Sequence, residues 1–171
     1  MGRDKALLPF AGATLLESVA RQVLEAAGSV AVVGRPAEYA RLGLPVLDED
    51  FPGCGPLSGI EAALRQMSAD WAQITACDMP GVNADWLRRL IALARTSDSA
   101  AVVTSNGGGR CEPLLAIYHA KLHGDVRKAL TRGNFSVRDL IAGWPVEFAE
   151  ATSSDLSGNV NTPEEWAAWR H

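Results

Sequence analysis

The run W-A-Q-I-T-A-C-D-M-P at residues 71–80 constrains the fold more than any other stretch of the chain. Residues 71–77 are short, mostly apolar or β-branched, and stopped by Pro80. That pattern predicts a strand covered on both faces, as in a parallel sheet flanked by helices. Its one charge, Asp78, falls where such a strand ends. Ligands of open α/β sheets gather beyond the carboxyl ends of the strands. A carboxylate emerging there can hold Mg2+ against a phosphate, because Mg2+ takes hard oxygen ligands and keeps several of its waters. From position alone, a turn cap ahead of Pro80 explains Asp78 equally well.

The flanking sequence alternates between strand and helix signals. Residues 5–13 read as a loop or short extended piece. Thr14-Leu15-Leu16-Glu17 forms a capping box that opens a helix to Ala27, with Gly28 as its stop. A buried strand at 29–33 ends at Gly34, a short helix runs from Pro36 to Leu42, and a brief strand covers 45–47. After Asp48-Glu49-Asp50 comes the loop F-P-G-C-G-P-L-S-G, then a helix over 57–67. Asn83 caps a helix from Ala84 to about Arg95. Strands at 100–104 and 114–118 flank a Gly-rich loop at 105–110. Helical periodicity continues through Leu122, Val126 and Leu130, a shorter helix covers 136–141, and a late strand covers 146–149. Residues 151–158 read as loop, and Thr162-Pro163-Glu164-Glu165 is a second capping box opening the last helix. Strands and helices at this spacing predict a three-layer α/β/α fold with a mostly parallel sheet, as one domain over residues 1–171. A chain of that length buries roughly two-thirds of its unfolded surface.

Composition excludes several classes of function. A net charge of -4 and the lack of a basic stripe argue against a nucleic-acid partner. No apolar run approaches the ~20 residues of a membrane span, and M-G-R-D-K does not read as a secretory signal. Cys54, Cys77 and Cys111 form neither a disulfide framework nor a zinc spacing, and they suit a reducing cytoplasm. His119 and His123 stand four apart, but the Glu of H-E-x-x-H is missing, so zinc is not expected.

Three loops offer polar chemistry. In Met1-Gly2-Arg3-Asp4-Lys5, Gly2 permits close backbone approach and Lys5 supplies a point charge suited to phosphate. The G-C-G-P-L-S-G loop has one residue too many for the dinucleotide fingerprint, but the amides opening the next helix can meet an anion or a polar substrate group. In Gly158-Asn159-Val160-Asn161-Thr162-Pro163, two asparagines flank Val160 and point the same way if the segment is extended. Their amides can complete a Mg2+ shell or hold a phosphate or sugar hydroxyl. Taken singly, a solvated terminus, a helix-starting turn and a capping Asn161 explain these loops as well.

In order along the chain, M-G-R-D-K-A-L-L-P-F, G-P-L-S-G, C-D-M-P, E-P-L-L-A-I-Y and N-V-N-T-P-E-E resemble the molybdenum cofactor guanylyltransferases, a branch of the nucleotidyltransferases with a Rossmann-like fold. The resemblance implies transfer of GMP from GTP, with Mg2+, to molybdopterin bearing its molybdenum, giving the guanine dinucleotide cofactor and pyrophosphate. It implies that Lys5 contacts the GTP phosphates, Asp78 binds the metal, and Asp48 and Gly34 contact the nucleotide. Asn159 and Asn161 fall near the pterin and metal side, Asn161 with a catalytic part. Other cofactor-biosynthesis proteins or molybdoenzymes are the implied protein partners. The family motif normally starts earlier, with a buried strand running into Leu-x-Gly-Gly-x-Ser-x-Arg. This sequence starts at the following Met-Gly, so an upstream translation start is expected, and activity of the chain as it stands depends on that segment. A sister enzyme using CTP or another phosphorylated acceptor is the nearest alternative. Asp4 and Asn161, where cytidylyl relatives tend to carry Pro and Asp, favour the guanylyl side. A nucleotide-binding domain that kept the fold and lost catalysis is the alternative from a different class.

Overall fold

The computed structural model describes residues 4–34, 36–106 and 110–152. The Asp4 side chain accepts the Ala6 amide at 3.0 Å and so caps a 3-10 turn, Lys5–Leu7. A small hairpin follows, β1 (Pro9–Phe10) against β2 (Ala13–Thr14). It turns on Ala11 and Gly12, whose φ angles of 48° and 81° match the twist that two-residue hairpin turns prefer. Thr14 then caps α1 (Leu15–Ala27). Its Oγ1 accepts the Glu17 amide at 3.2 Å, and the Glu17 carboxylate accepts the Thr14 amide at 2.7 Å. The capping box is complete, and Gly28 stops the helix with a φ of 76°.

The remaining elements are β3 (Val32–Val33), α2 (Pro36–Tyr39), β4 (Val46–Leu47), α3 (Pro56–Gln66), β5 (Trp71–Thr75), α4 (Ala84–Thr96), β6 (Ala101–Ser105), β7 (Cys111–His119), α5 (His123–Thr131), α6 (Val137–Gly143) and β8 (Val146–Glu150). Each sits where the sequence pattern predicts it, with shifted ends. β3 keeps two of the five residues expected at 29–33, while β7 grows to nine. The second capping box and the last helix lie outside the described residues.

Four strands form one sheet in the order β5-β7-β6-β8. β5, β6 and β8 run one way and β7 runs against them. The reversal has a simple cause: β6 and β7 are joined only by residues 106–110, too few for the crossover that parallel neighbours need. β3 and β4 pair in parallel, Val32 with Val46 and Val33 with Leu47. Among the described residues no ladder joins that pair to β5, and α3 packs against strands of both groups.

Helices cover both faces of the sheet. Leu57, Ile60, Val103, Tyr118, Val126 and Leu130 pack on the side of α3 and α5. Leu15, Val19, Trp86, Leu90, Val102 and Ile117 pack on the side of α1 and α4. Val102 and Val103 point opposite ways, as the period of two requires. The single polar group carried into this region of β6, Thr104 Oγ1, accepts the Trp86 indole N–H at 3.1 Å. A third, smaller cluster of Ala6, Leu16, Val32 and Tyr39, with Cys77 against it, ties the N-terminal turn, α1, β3 and α2 to the end of β5.

Candidate active site

That third cluster builds the site. Gly34 leaves β3 with a φ of 141°, and a Cβ there would lie 3.0 Å from the Tyr39 ring. Glycine is therefore required on two counts, backbone conformation and close approach. The ring it admits is buried, and the Tyr39 hydroxyl donates to the Asp4 carboxylate at 2.8 Å. The other Asp4 oxygen takes the Ala6 amide. Asp4 thus spans two segments 35 residues apart in sequence and fixes the turn on which Lys5 sits.

Cys77 reports on the same neighbourhood. Burial pushes its thiol up to about 11; the carboxylates of Asp78 and Asp4 push the same way, and Lys5 pulls against them. The segments carrying Lys5 and Asp78, predicted from separate motifs, also meet by packing: Ala6 and Leu7 share a cluster with Cys77 at the end of β5. Lys5 and Asp78 are both partly exposed. Asp78 is followed by buried Met79, which packs beside Trp86 under α4 and anchors the turn that presents the carboxylate.

Asp48 follows β4 as Gly34 follows β3, so the two leave neighbouring parallel strands at the same end. The Asp48 backbone carbonyl accepts hydrogen bonds from Arg65 at 2.6 Å and Gln66 at 3.0 Å, both on α3. The cluster of Ala6, Val32, Tyr39 and Cys77 thus brings together the segments that carry Lys5, Gly34 and Asp78, and Asp48 leaves the strand paired with the one that ends at Gly34. Asn159 and Asn161 lie outside the described residues.

The G-P-L-S-G loop opens α3 without a side-chain cap: Gly55 precedes the helix with a φ of 72°, and Pro56 takes the first turn. Ser58 is buried at 1% exposure, and its hydroxyl has no partner among the described residues. The two histidines sit on different elements. His119 ends β7 and accepts the Lys121 amide, while His123 starts α5 and meets Glu61 at 3.0 Å.

Asp78 is a hard oxygen donor of the kind that Mg2+ takes. Among the described residues no group of three or more His, Cys, Asp or Glu side chains can hold a metal by itself. Mg2+ is bound by one or two carboxylates plus waters and substrate phosphates. Asp78 at the strand end and Lys5 on the N-terminal turn are both partly exposed, a carboxylate and an ammonium of the types that such binding uses.

Sequence reasoning missed Tyr39 and the anchoring part of Asp4. The only local signal is that Tyr39 stands in a short helical run, A-E-Y-A-R-L, with nothing to announce a partner so far away.

Comparison with known proteins agrees with this architecture. Residues 1–150 match the MobA-like NTP transferase domain. A protein of Carboxydothermus hydrogenoformans named probable molybdenum cofactor guanylyltransferase is 34% identical over 173 residues, covering 97% of this chain and 86% of its own. A Bacillus cereus protein of the same name is 31% identical over 176 residues, covering 96% and 86%. Among solved structures, molybdopterin-guanine dinucleotide biosynthesis protein A of Archaeoglobus fulgidus superposes with a TM-score of 0.81 at 21% identity, covering 98% of this chain and 89% of that one. A Mycobacterium tuberculosis protein solved in complex with manganese superposes at 0.74 with 20% identity, covering 98% and 92%. At these identities the two structures show the fold alone. The family match and the relatives above 30% identity go further: the chain belongs to the MobA-like nucleotidyltransferases.

Proposed function

We propose that this chain transfers GMP from GTP to molybdopterin bearing its molybdenum, giving the guanine dinucleotide cofactor and pyrophosphate. The observation that supports the reading is that the turn carrying Lys5 packs, through Ala6 and Leu7, in one cluster with Cys77, the residue before Asp78 at the carboxyl end of β5. Relatives at 31–34% identity that carry the guanylyltransferase name supply the choice of nucleotide and acceptor.

A phosphate oxygen of the pterin attacks the α-phosphorus of GTP, a new P–O bond forms, and the bond to the bridging oxygen of the β-phosphate breaks. The electron pair leaves with pyrophosphate. Such a displacement needs in-line positioning and neutralised charge more than a covalent nucleophile. Lys5 holds an ammonium against the phosphates and answers the charge that gathers on the leaving group. Asp78 would hold Mg2+, which would supply Lewis-acid neutralisation of phosphate oxygens. Gly34 and Asp48 line the nucleotide side, and Asn159 and Asn161 serve the pterin and metal side. The three free cysteines fit the reducing cytoplasm proposed for the protein.

Thermal-shift titration with GTP, CTP and ATP, each with Mg2+, tests the reading, because a ligand that binds the native state raises Tm by mass action. GTP is expected to raise Tm most, and only with Mg2+. A larger shift with CTP would move the assignment to the cytidylyl branch, and equal small shifts with all three would defeat it.

A further inference from the structure

We propose that Arg65 is a positioning residue that sets Asp48 for the nucleotide, an inference that rests on the function proposed above. It starts from an acid that the site does not use. Glu61, on α3, is 0% exposed. A carboxylate is kept in such a place only with partners, since an unpaired buried charge is very costly. Glu61 has them. Its Oε1 accepts from Arg127 at 2.8 Å and meets His123 Nε2 at 3.0 Å, and its Oε2 lies 3.5 Å from Arg65 Nε.

The same two arginines reach out of the cluster onto one loop. Arg127 meets Asp50 at 2.7 Å and lies over the Phe51 ring at 5.2 Å. Arg65 lies 3.3 Å from the other Asp50 oxygen and donates to the Asp48 backbone carbonyl at 2.6 Å, where Gln66 adds a second bond at 3.0 Å. Residues 48, 50 and 51 are thus held at a carbonyl, a carboxylate and a ring. β4 has only two residues in its ladder, so its own pairing does little to fix the loop at 48–51. Among the described residues Arg65 alone touches Glu61, Asp50 and Asp48 together, and a planar guanidinium on a buried carboxylate gives the orientation that a lysine cannot. Holding the Asp48 carbonyl restrains the backbone there and narrows the directions open to its Cα–Cβ bond. Less backbone ordering is then needed when the nucleotide arrives, which strengthens binding by lowering an entropic cost.

The test uses the full chain and four variants, Arg65→Gln, Gln66→Ala, Asp48→Asn and the double variant of Arg65→Gln with Asp48→Asn. Kd for GTP with Mg2+ is measured well below every Tm, alongside KM for GTP, KM for the pterin acceptor and kcat. Arg65→Gln is expected to raise Kd and KM for GTP about tenfold while the acceptor KM and kcat stay within about twofold. Added to Asp48→Asn it should cost almost nothing further, since both act through one carboxylate. A merely structural Arg65 would lower Tm and leave Kd and that non-additivity untouched, which overturns the proposal. If Arg65→Gln does not fold, Gln66→Ala decides: it removes one bond to the same carbonyl from outside the buried cluster. A rise in Kd of about threefold is expected there, and no rise overturns the inference. Failure of the parent chain itself to bind GTP with Mg2+ defeats the proposed function. Tight binding by the parent and equally tight binding by the variants defeats only the positioning of Asp48.

Discussion

In β6, Ala101, Val102, Val103 and Thr104 have no exposed surface. From Trp71 to Asp78 every residue is only partly buried. The two stretches belong to one sheet, with β7 between them, yet their surroundings differ. β6 is gripped on both faces by apolar side chains of α3, α4 and α5, and its one buried hydroxyl is satisfied by Trp86. β5 is held by its ladder to β7 and by side chains such as Ile74 and Trp71 at the edges of both apolar clusters, while the loops at the rim beside its end are held by polar tethers: Tyr39 to Asp4, and Arg65 with Gln66 to Asp48 after β4. Apolar packing supplies stability without leaving anything for chemistry. Tethering by hydrogen bonds keeps charged groups in place while solvent and ligands still reach them.

The contrast predicts that stability and ligand binding separate by region. Leu90 is fully buried on α4 beside Val102. Leu90→Ala is expected to cost about 2–5 kcal/mol of stability by urea denaturation, with GTP affinity of the folded fraction unchanged. A loss of affinity in that variant would mean that the core and the rim are one unit.

Gly34→Ala probes the rim itself. A methyl group 3.0 Å from the Tyr39 ring, at a φ of 141°, must displace the ring or strain the backbone. On the order of 1–3 kcal/mol of destabilisation is expected, together with weaker GTP binding because Tyr39 is pushed off Asp4. Unchanged Tm and unchanged binding would break the tether account.

The smallest effect concerns Cys77. With the thiol raised from 9.0 to about 11, chiefly by burial, the folded state holds its proton more tightly than the unfolded chain. Its contribution to stability is therefore complete below pH 9.0 and fades as pH rises through about 11. At pH 8, iodoacetamide should modify Cys77 far more slowly in the folded protein than in urea, as read by peptide mass spectrometry. Equal rates would mean that the thiol is not enclosed between the N-terminal turn and β5.

Much of the fold was legible because its signals are local. Thr14 with Glu17, Asn83 and Ser136 announce helix starts within a few residues, and each side chain accepts the amide expected of it. Helix α1 ends at the glycine that the pattern names. Strand lengths were less legible, because a strand exists only where a partner does. The apolar run at 29–33 pairs only at Val32 and Val33, opposite a β4 of the same two residues. The direction of β7 depends on a loop length that the sequence displays, although hydrophobic pattern alone does not reveal it. Lys5 and Asp78 could be named because charged residues in Gly-containing loops and at strand ends stand out, while Asp48 was named only through the family resemblance. Tyr39, Glu61 and Arg65 could not, since their meaning lies in contacts 35, 62 and 17 residues away in sequence.

Pyrophosphate release from GTP with Mg2+ and molybdopterin, compared between the parent chain and Asp78→Ala, tests the central claim most directly. Mg2+-dependent release is expected to fall at least 10²- to 10³-fold in the variant, with Tm within about 2–4 °C of the parent. A folded Asp78→Ala protein that releases pyrophosphate as fast as the parent would contradict the claim that the metal and the phosphates are held at the end of β5.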